Sequence, residues 1–339
     1  MQAVVFLSVL LFIGGSYALP AEYAEPKHRW TLIPDGDGRM HLMDLNPIEP
    51  IEPVEPSFNA DNDVFFVLFT RRNPTAGQRL ARTTASINGS QWRSTAGGTR
   101  FIIHGWNNNP LSPVNTMITQ AYLAAADHNV VRVDWGAGAN SLSYPTSRNR
   151  VPDVARVTAS FIDWLHQNGF LVNFNRLVIA GHSLGGHIAG ITGKRVTRGR
   201  IQAIFALDPA GPLFSVGDAN GRFASGDGVY TEMIATNAGV LGFAEPLGQA
   251  TFYPNWGTSQ PGCGTDISGN CAHGRVNNFY SESVTSNRFV ARRCANHGQI
   301  TSRNCPTGQG TGTMGGNGSK NLNGVFFLET NANSPFARG

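Results

Sequence analysis

The sequence predicts an α/β fold, a mostly parallel central sheet flanked by helices. From Asp63 onward, short apolar runs rich in β-branched and aromatic residues alternate with segments of helical periodicity. The runs are apolar almost throughout, as in strands covered on both faces. Forty glycines in 339 residues supply the turns. At 41% hydrophobic and 14% charged residues, the chain excludes disordered and fibrous classes and is long enough for a large core.

The first strand is Val64–Phe69, and Thr99–Ile103 follows, ending at His104-Gly105-Trp106. Val130–Val133 is a third strand. Ser147–Gln167 reads as a helix whose apolar face is Ala155, Val157, Phe161, Ile162 and Leu165. Leu177–Ala180 is a buried strand, and Leu184–Val196 is helical on the spacing of Ile188, Ala189, Ile191 and Val196. Ile201–Leu207 is a strand that runs into "ALDPAGP", where Pro209 stops the ladder. Gly308–Gly318 reads as a glycine-rich loop before a final strand, Val325–Glu329. No internal repeat is visible.

The N-terminal part differs. Ala3–Ile13 is an apolar run too short to span a membrane, and Ser16-Tyr17-Ala18 is a small-x-small cleavage site, so residues 1–18 read as a signal peptide. No later run reaches membrane-spanning length, and the product is expected to be secreted and extracellular, with no transmembrane segment. Residues 19–57 hold eight acidic residues against three basic ones, and "NPIEPIEPVEPS" suits an extended linker. This acidic, Pro/Glu-rich leader reads equally as a propeptide or shield and as a plain N-terminal arm. Residues 58–339, the expected catalytic domain, then carry 23 basic against 14 acidic residues. No aromatic-and-basic signature for nucleic acid appears. Asn88 and Asn317 begin glycosylation sequons.

Four cysteines, Cys263, Cys271, Cys294 and Cys305, suit an oxidising compartment and allow three pairings, of which the sequential one is simplest.

The chemistry centres on "LVIAGHSLGGHIAG". Ser183 sits on a strand-to-helix turn, with Gly181 and Gly185 leaving room for a strained backbone. Such a turn exposes a hydroxyl beside the free N–H groups of a helix start, as a nucleophile requires. A serine needs a base and an acid to orient that base. Asp208 leaves the end of the next strand, where α/β sheets display ligand-facing groups. Of nine histidines, His273 and His297 remain as candidate bases after those in the leader, beside the serine or on earlier helices are set aside. His273 follows Cys271 by two, and the order Ser183, Asp208, His273 is that of α/β-hydrolases. The backbone N–H groups of Trp106 and Leu184 are candidate oxyanion donors, and His104 is expected to hold the first of these turns.

Together "FIIHGW", "VRVDWGAGA", "IAGHSLGGHIAG", "ALDPAGPLF", "CAHGRVNNFYSES" and "FFLETNANSPF" resemble the pancreatic lipase family, in its insect and venom branch of phospholipase A1-like members. The resemblance runs from about Val64 to the C-terminus. It implies Ser183, Asp208 and His273 as the triad, Trp106 and Leu184 as the oxyanion donors, and disulfides Cys263–Cys271 and Cys294–Cys305. It implies ester hydrolysis on glycerolipids at a lipid–water interface, by a monomer, with no organic cofactor and no colipase partner. Ala219 and Ala224 stand where the family's calcium loop carries acidic residues, so no metal is expected. Yolk proteins of the family lack a working nucleophile, which leaves lipid binding or storage as the competing class.

Two loops bear on substrate choice within the family. The lid between Cys263 and Cys271 is only Gly264–Asn270, with Ile267 as its large apolar side chain. The second loop, Asn237–Ala250, offers Val240, Leu241 and Phe243 equally as lipid contacts or as side chains buried under the lid. Both are short, so an open site with little interfacial activation is expected. That favours phospholipids at the sn-1 position, with galactolipids also accepted and triglycerides as the alternative.

Overall fold

The computed structural model describes residues 30–35, 38–45, 57–94 and 97–339. The expected signal peptide and residues 46–56 of the leader lie outside them. Two strands, β1 (Trp30–Pro34) and β2 (Met40–Asp44), form an antiparallel hairpin of their own. The remaining strands are β3 (Phe65–Phe69), β4 (Gln78–Leu80), β5 (Thr99–Ile103), β6 (Asn129–Asp134), β7 (Leu177–His182), β8 (Ala203–Leu207), β9 (Tyr230–Ile234), β10 (Ala250–Pro254), β11 (Val290–Cys294), β12 (Thr311–Thr313) and β13 (Gly324–Leu328). They make one eleven-stranded sheet in the order β12-β11-β13-β10-β9-β8-β7-β5-β6-β3-β4. Neighbours from β13 to β6 run parallel, and the antiparallel pairs lie at the two margins.

The helices are α1 (Ala60–Asp63), α2 (Thr84–Asn88), α3 (Pro113–Ala125), α4 (Gly136–Ala139), α5 (Tyr144–Gln167), α6 (Leu184–Arg195), α7 (Asn270–Thr285) and α8 (His297–Thr301). Strand periodicity divides the core between the two faces of the sheet. On β7, Leu177 and Ile179 join the cluster holding Phe161, Ile162 and Ile188 of α5 and α6. Val178 and Ala180 of the same strand join the cluster holding Ile118, Tyr122, Phe279 and Tyr280 of α3 and α7. Helices thus cover both faces, which is why the central strands read as unbroken apolar runs.

The expected α/β architecture is the one observed, with several differences. Helix α5 begins three residues earlier than its apolar face suggests, because Ser143 caps it by accepting from the Thr146 N–H (3.4 Å) and Pro145 suits the first turn. Strand β12 interrupts the expected loop Gly308–Gly318. The larger correction concerns the leader. Residues 30–34 and 40–44 are not an arm beside the domain. Their register pairs Thr31 with Met43 and Ile33 with His41 on one face, and buried Ile33 and Met43 belong to the main core cluster. The other face shows Leu32 and Leu42 to solvent. The alternation in "WTLIP" and "MHLMD" carries this signal, which the acidic composition masks.

The two sequons separate. Asn88 is exposed at the end of α2. Asn317 is held inside a cluster, with Oδ1 accepting from Arg100 Nε (2.6 Å) and Nδ2 donating to His128 Nε2 (3.0 Å). A glycan on Asn317 would displace both contacts.

Buried histidines are held neutral. His187 Nε2 donates to the Ala210 carbonyl (2.8 Å), while Nδ1 accepts from the Phe223 N–H (3.2 Å), a role a protonated ring cannot fill. Burial first, then nearby cations, lowers its pKa to about 3. Burial also lowers His128 to about 4, with the Arg100 guanidinium adding to the shift. Both folded-state values lie below the unfolded value of 6.5, so the unfolded chain takes up more protons in this range. Their contribution is complete above pH 6.5 and is lost as pH falls through 4. The melting temperature should therefore decline steadily from pH 7 to pH 4 in calorimetry. A flat profile across that window would refute the assignment.

Candidate active site

The elbow between β7 and α6 is strained as its glycines suggest. Ser183 adopts φ 57°, ψ −123°, which a non-glycine residue rarely does. A Cβ at Gly181 would lie 2.0 Å from the Gly185 carbonyl oxygen, and one at Gly185 would lie 2.2 Å from that of Ile103. Strand, turn and helix therefore approach closely only because both residues lack side chains. The next turn comes equally near, since a Cβ at Gly105 would sit 2.8 Å from Ser183 Cβ. Trp106 thus enters the site at the end of β5, its ring anchored by Nε1 donating to the Ser141 carbonyl (3.1 Å). Leu184 opens α6, so its N–H is among those without an intrahelical partner. His104 holds this turn from behind, stacked on Trp135, whose Nε1 donates to the His104 carbonyl (2.9 Å).

His273 Nδ1 donates to Asp208 Oδ2 across 2.6 Å. Asp208 is fully buried. Its other oxygen accepts from the N–H groups of Thr236 (2.7 Å) and Asn237 (3.0 Å). Three donors compensate a carboxylate that burial would otherwise destabilise strongly. His273 lies in the first turn of α7, a helix that the sequence reading missed although Val276, Phe279 and Tyr280 have helical spacing. The lid loop starts this helix. Asp266 accepts from the N–H groups of Cys271 (3.3 Å) and Ala272 (2.7 Å), while Cys263–Cys271 closes the loop. The second disulfide is Cys294–Cys305, so the sequential pairing holds.

His182, beside Ser183, belongs to the same cluster, although sequence reading set it aside. Its Nε2 donates to the His273 carbonyl (3.1 Å), and the two rings lie 4.5 Å apart. Burial first, and then the neighbouring His273, pushes the His182 pKa well below its ordinary value. The ring therefore stays neutral and adds no repulsion when His273 is charged. His297, the alternative base, stacks on Tyr253 and is not part of this site.

Ser183, His273 and Trp106 line one cavity of about 460 Å³, together with Met117, Tyr144 and Leu241. The proposed lipid contacts do not share one environment. Ile267 is 89% exposed and Val240 51%. Leu241 is buried and lines the cavity, whereas Phe243 is buried in the core cluster. Of the two uses open to Phe243, lipid contact or burial, it is packed in the core and supports the loop. The hairpin also changes the expected openness, because Ile33, Pro34, Asp35 and Gly38 wall the same cavity.

The segment after Asp208 does not fit a calcium ion. The Arg222 carbonyl and the Asp227 carboxylate both accept from the Lys194 ammonium, at 3.0 Å in the first case. These acceptors are therefore already satisfied by a cation of the chain itself.

The family model described as Lipase matches residues 44–336. The chain is 35% identical to lipase member H of Oryctolagus cuniculus over 59% of this chain and 43% of that protein. It is 34% identical to lipase member H-B of Xenopus laevis over 71% of this chain and 53% of that protein. It is 30% identical to pancreatic triacylglycerol lipase of Oryctolagus cuniculus over 80% of this chain and 64% of that protein. The chain spans about half the length of the lipase member H relatives it matches.

Two outcomes follow from this geometry. Replacing Lys194 by Met strands a buried carboxylate and should lower stability by about 3 kcal/mol in denaturant titration, with no rescue by added calcium. Removing the Cys263–Cys271 bridge frees a loop constraint worth on the order of 2–3 kcal/mol. Its helix cap and His273 are adjacent, so the Cys263→Ser, Cys271→Ser double variant should lose activity at temperatures where circular dichroism still reports a folded chain. Loss of both signals together would count against the local effect.

Proposed function

The chain belongs to the Lipase family, and on that premise we propose that it is a secreted serine ester hydrolase releasing fatty acids from glycerolipids, of phospholipase A1 type. The observation that carries this is the buried Asp208–His273 pair, 2.6 Å long, in a helix start that shares its cavity with the elbow Ser183. His273 Nε2 takes the proton of Ser183 as its Oγ attacks the acyl carbonyl. Asp208 holds the imidazole in the required tautomer and stabilises its charged form. The Trp106 and Leu184 N–H groups receive the oxyanion, each such donor being worth about 3–4 kcal/mol. His273 returns the proton to the leaving alcohol. Water, deprotonated by the same ring, then releases the acid.

The phospholipid reading rests on the seven-residue lid and the short Asn237–Ala250 loop, which leave headroom for a polar headgroup. A helix long enough to cap the cavity cannot form in a loop of that size. Galactolipids would enter by the same route. Triglyceride hydrolysis is the second reading, favoured by the likeness to a pancreatic triacylglycerol lipase. Secretion fits the residues 1–18 pattern, and among the described residues no helix is long and apolar enough to cross a membrane.

Ser183→Ala should leave the melting temperature within about two degrees and reduce ester hydrolysis by at least a thousandfold, with loss of labelling by a serine-directed phosphonate. A folded wild-type protein inert to esters and to the phosphonate would point to lipid storage or binding. Rates on phosphatidylcholine and triolein at matched surface concentration decide the substrate, and a strong triolein preference would overturn the phospholipid assignment.

A further inference from the structure

The hairpin β1–β2 lies in the acidic segment that composition assigns to a leader, yet it is built into the site. His41 meets the Trp106 ring edge-on at 5.2 Å. The Gly38 carbonyl accepts from Asn270 Nδ2 (3.5 Å), three residues before His273. Asp35 is fixed within the hairpin, since its carboxylate accepts from the Arg39 N–H (2.8 Å) and contacts His41 Nε2 (3.0 Å). Volume separates a wall from a plug. With the hairpin in place the cavity still measures about 460 Å³, within the roughly 300–1,000 Å³ of sites that bind small ligands. A plug would have filled that space.

The wall also carries charge. Among the described residues and apart from histidines, the charged side chains lining the cavity are Asp35 of the hairpin and Arg275 of α7. The Arg275 guanidinium has no carboxylate within salt-bridge distance among the described residues, its neighbours being the Ala332 carbonyl and the Cys263–Cys271 sulfurs. One fixed anion and one cation in the wall match a ligand bearing an ammonium and a phosphate.

We infer that the N-terminal hairpin is a working wall of the substrate cavity, and that Asp35 together with Arg275 makes the cavity select a zwitterionic phospholipid headgroup. Phosphate is drawn to Arg275 and the headgroup ammonium to Asp35. This rests on the ester-hydrolase reading and refines it. It also makes residues 30–45 part of the working enzyme, so they are not a segment to be discarded.

The test uses the full chain and vesicles of phosphatidylcholine or phosphatidylglycerol, which share acyl chains and phosphate but differ in the headgroup cation. The wild type should prefer phosphatidylcholine. Asp35→Asn, which retains an acceptor for the Arg39 N–H, should reduce the ratio of kcat/KM for the two lipids about tenfold, and Asp35→Glu should restore most of it. Ile33→Asp, which expels the hairpin from the core, should reduce the ratio similarly. An unchanged ratio in Asp35→Asn overturns the headgroup assignment. A rise in rate on both lipids in Ile33→Asp shows a plug and overturns the wall. Inertness of the wild type to p-nitrophenyl butyrate would remove the ester-hydrolase reading itself, and this inference with it.

Discussion

The fully buried carboxylate of Asp208 is the constraint around which the site is organised. An uncompensated charge at that depth would be prohibitive, so its surroundings must deliver donors in fixed positions. Thr236 and Asn237 donate from the loop after β9, and His273 donates from α7. Two segments distant from Asp208 in sequence therefore converge on its two oxygens. The loop Asn237–Ala250, which the sequence suggests as a lipid contact, is in the first place the collar of this carboxylate. That role explains why Leu241 and Phe243 turn inward.

The nucleophile depends on a second constraint, close backbone approach. Gly181, Gly185 and Gly105 let β7, α6 and the turn after β5 meet at distances no side chain would permit. Strain at Ser183 is held by the packing of α6 against the sheet and α5, where Ile188 and Ala189 are buried. Neutral histidines support the framework. His187 ties α6 to the segment after Asp208, and His182 ties the elbow to α7. Rings at these positions supply both a donor and an apolar surface, and their burial keeps them uncharged.

Electrostatic roles are distributed with similar economy. The ammonium of Lys194 satisfies Asp227 and the Arg222 carbonyl, so the loop following the acid is held from within the chain. Asp266 in the short lid is a helix cap for the element that carries His273. The loop Gly264–Asn270 thus anchors the start of α7, and the N-terminal hairpin contributes a wall of the cavity.

What the sequence by itself determined was local. Glycines around Ser183, apolar runs of strand length and the helical spacing of Ile188 and Ile191 each report a backbone conformation within a few residues. The order of Ser183, Asp208 and His273 lies along the chain and so could suggest a triad, while the cysteines allowed three pairings, of which the sequential one, the simplest, is present. The helix α7 was legible in principle from Val276, Phe279 and Tyr280, but polar residues between them diluted the pattern. Only the tertiary structure decided which face of an element meets which neighbour. It turned Phe243 into the core, filled the loop after Asp208 with the Lys194 ammonium, and tied the Asn317 side chain to Arg100 and His128. The hairpin shows the reason most clearly. Its charge composition describes a solvated leader, whereas its placement depends on Ile33 and Met43 finding a complementary surface beside Trp106, and that surface exists only once distant strands have assembled.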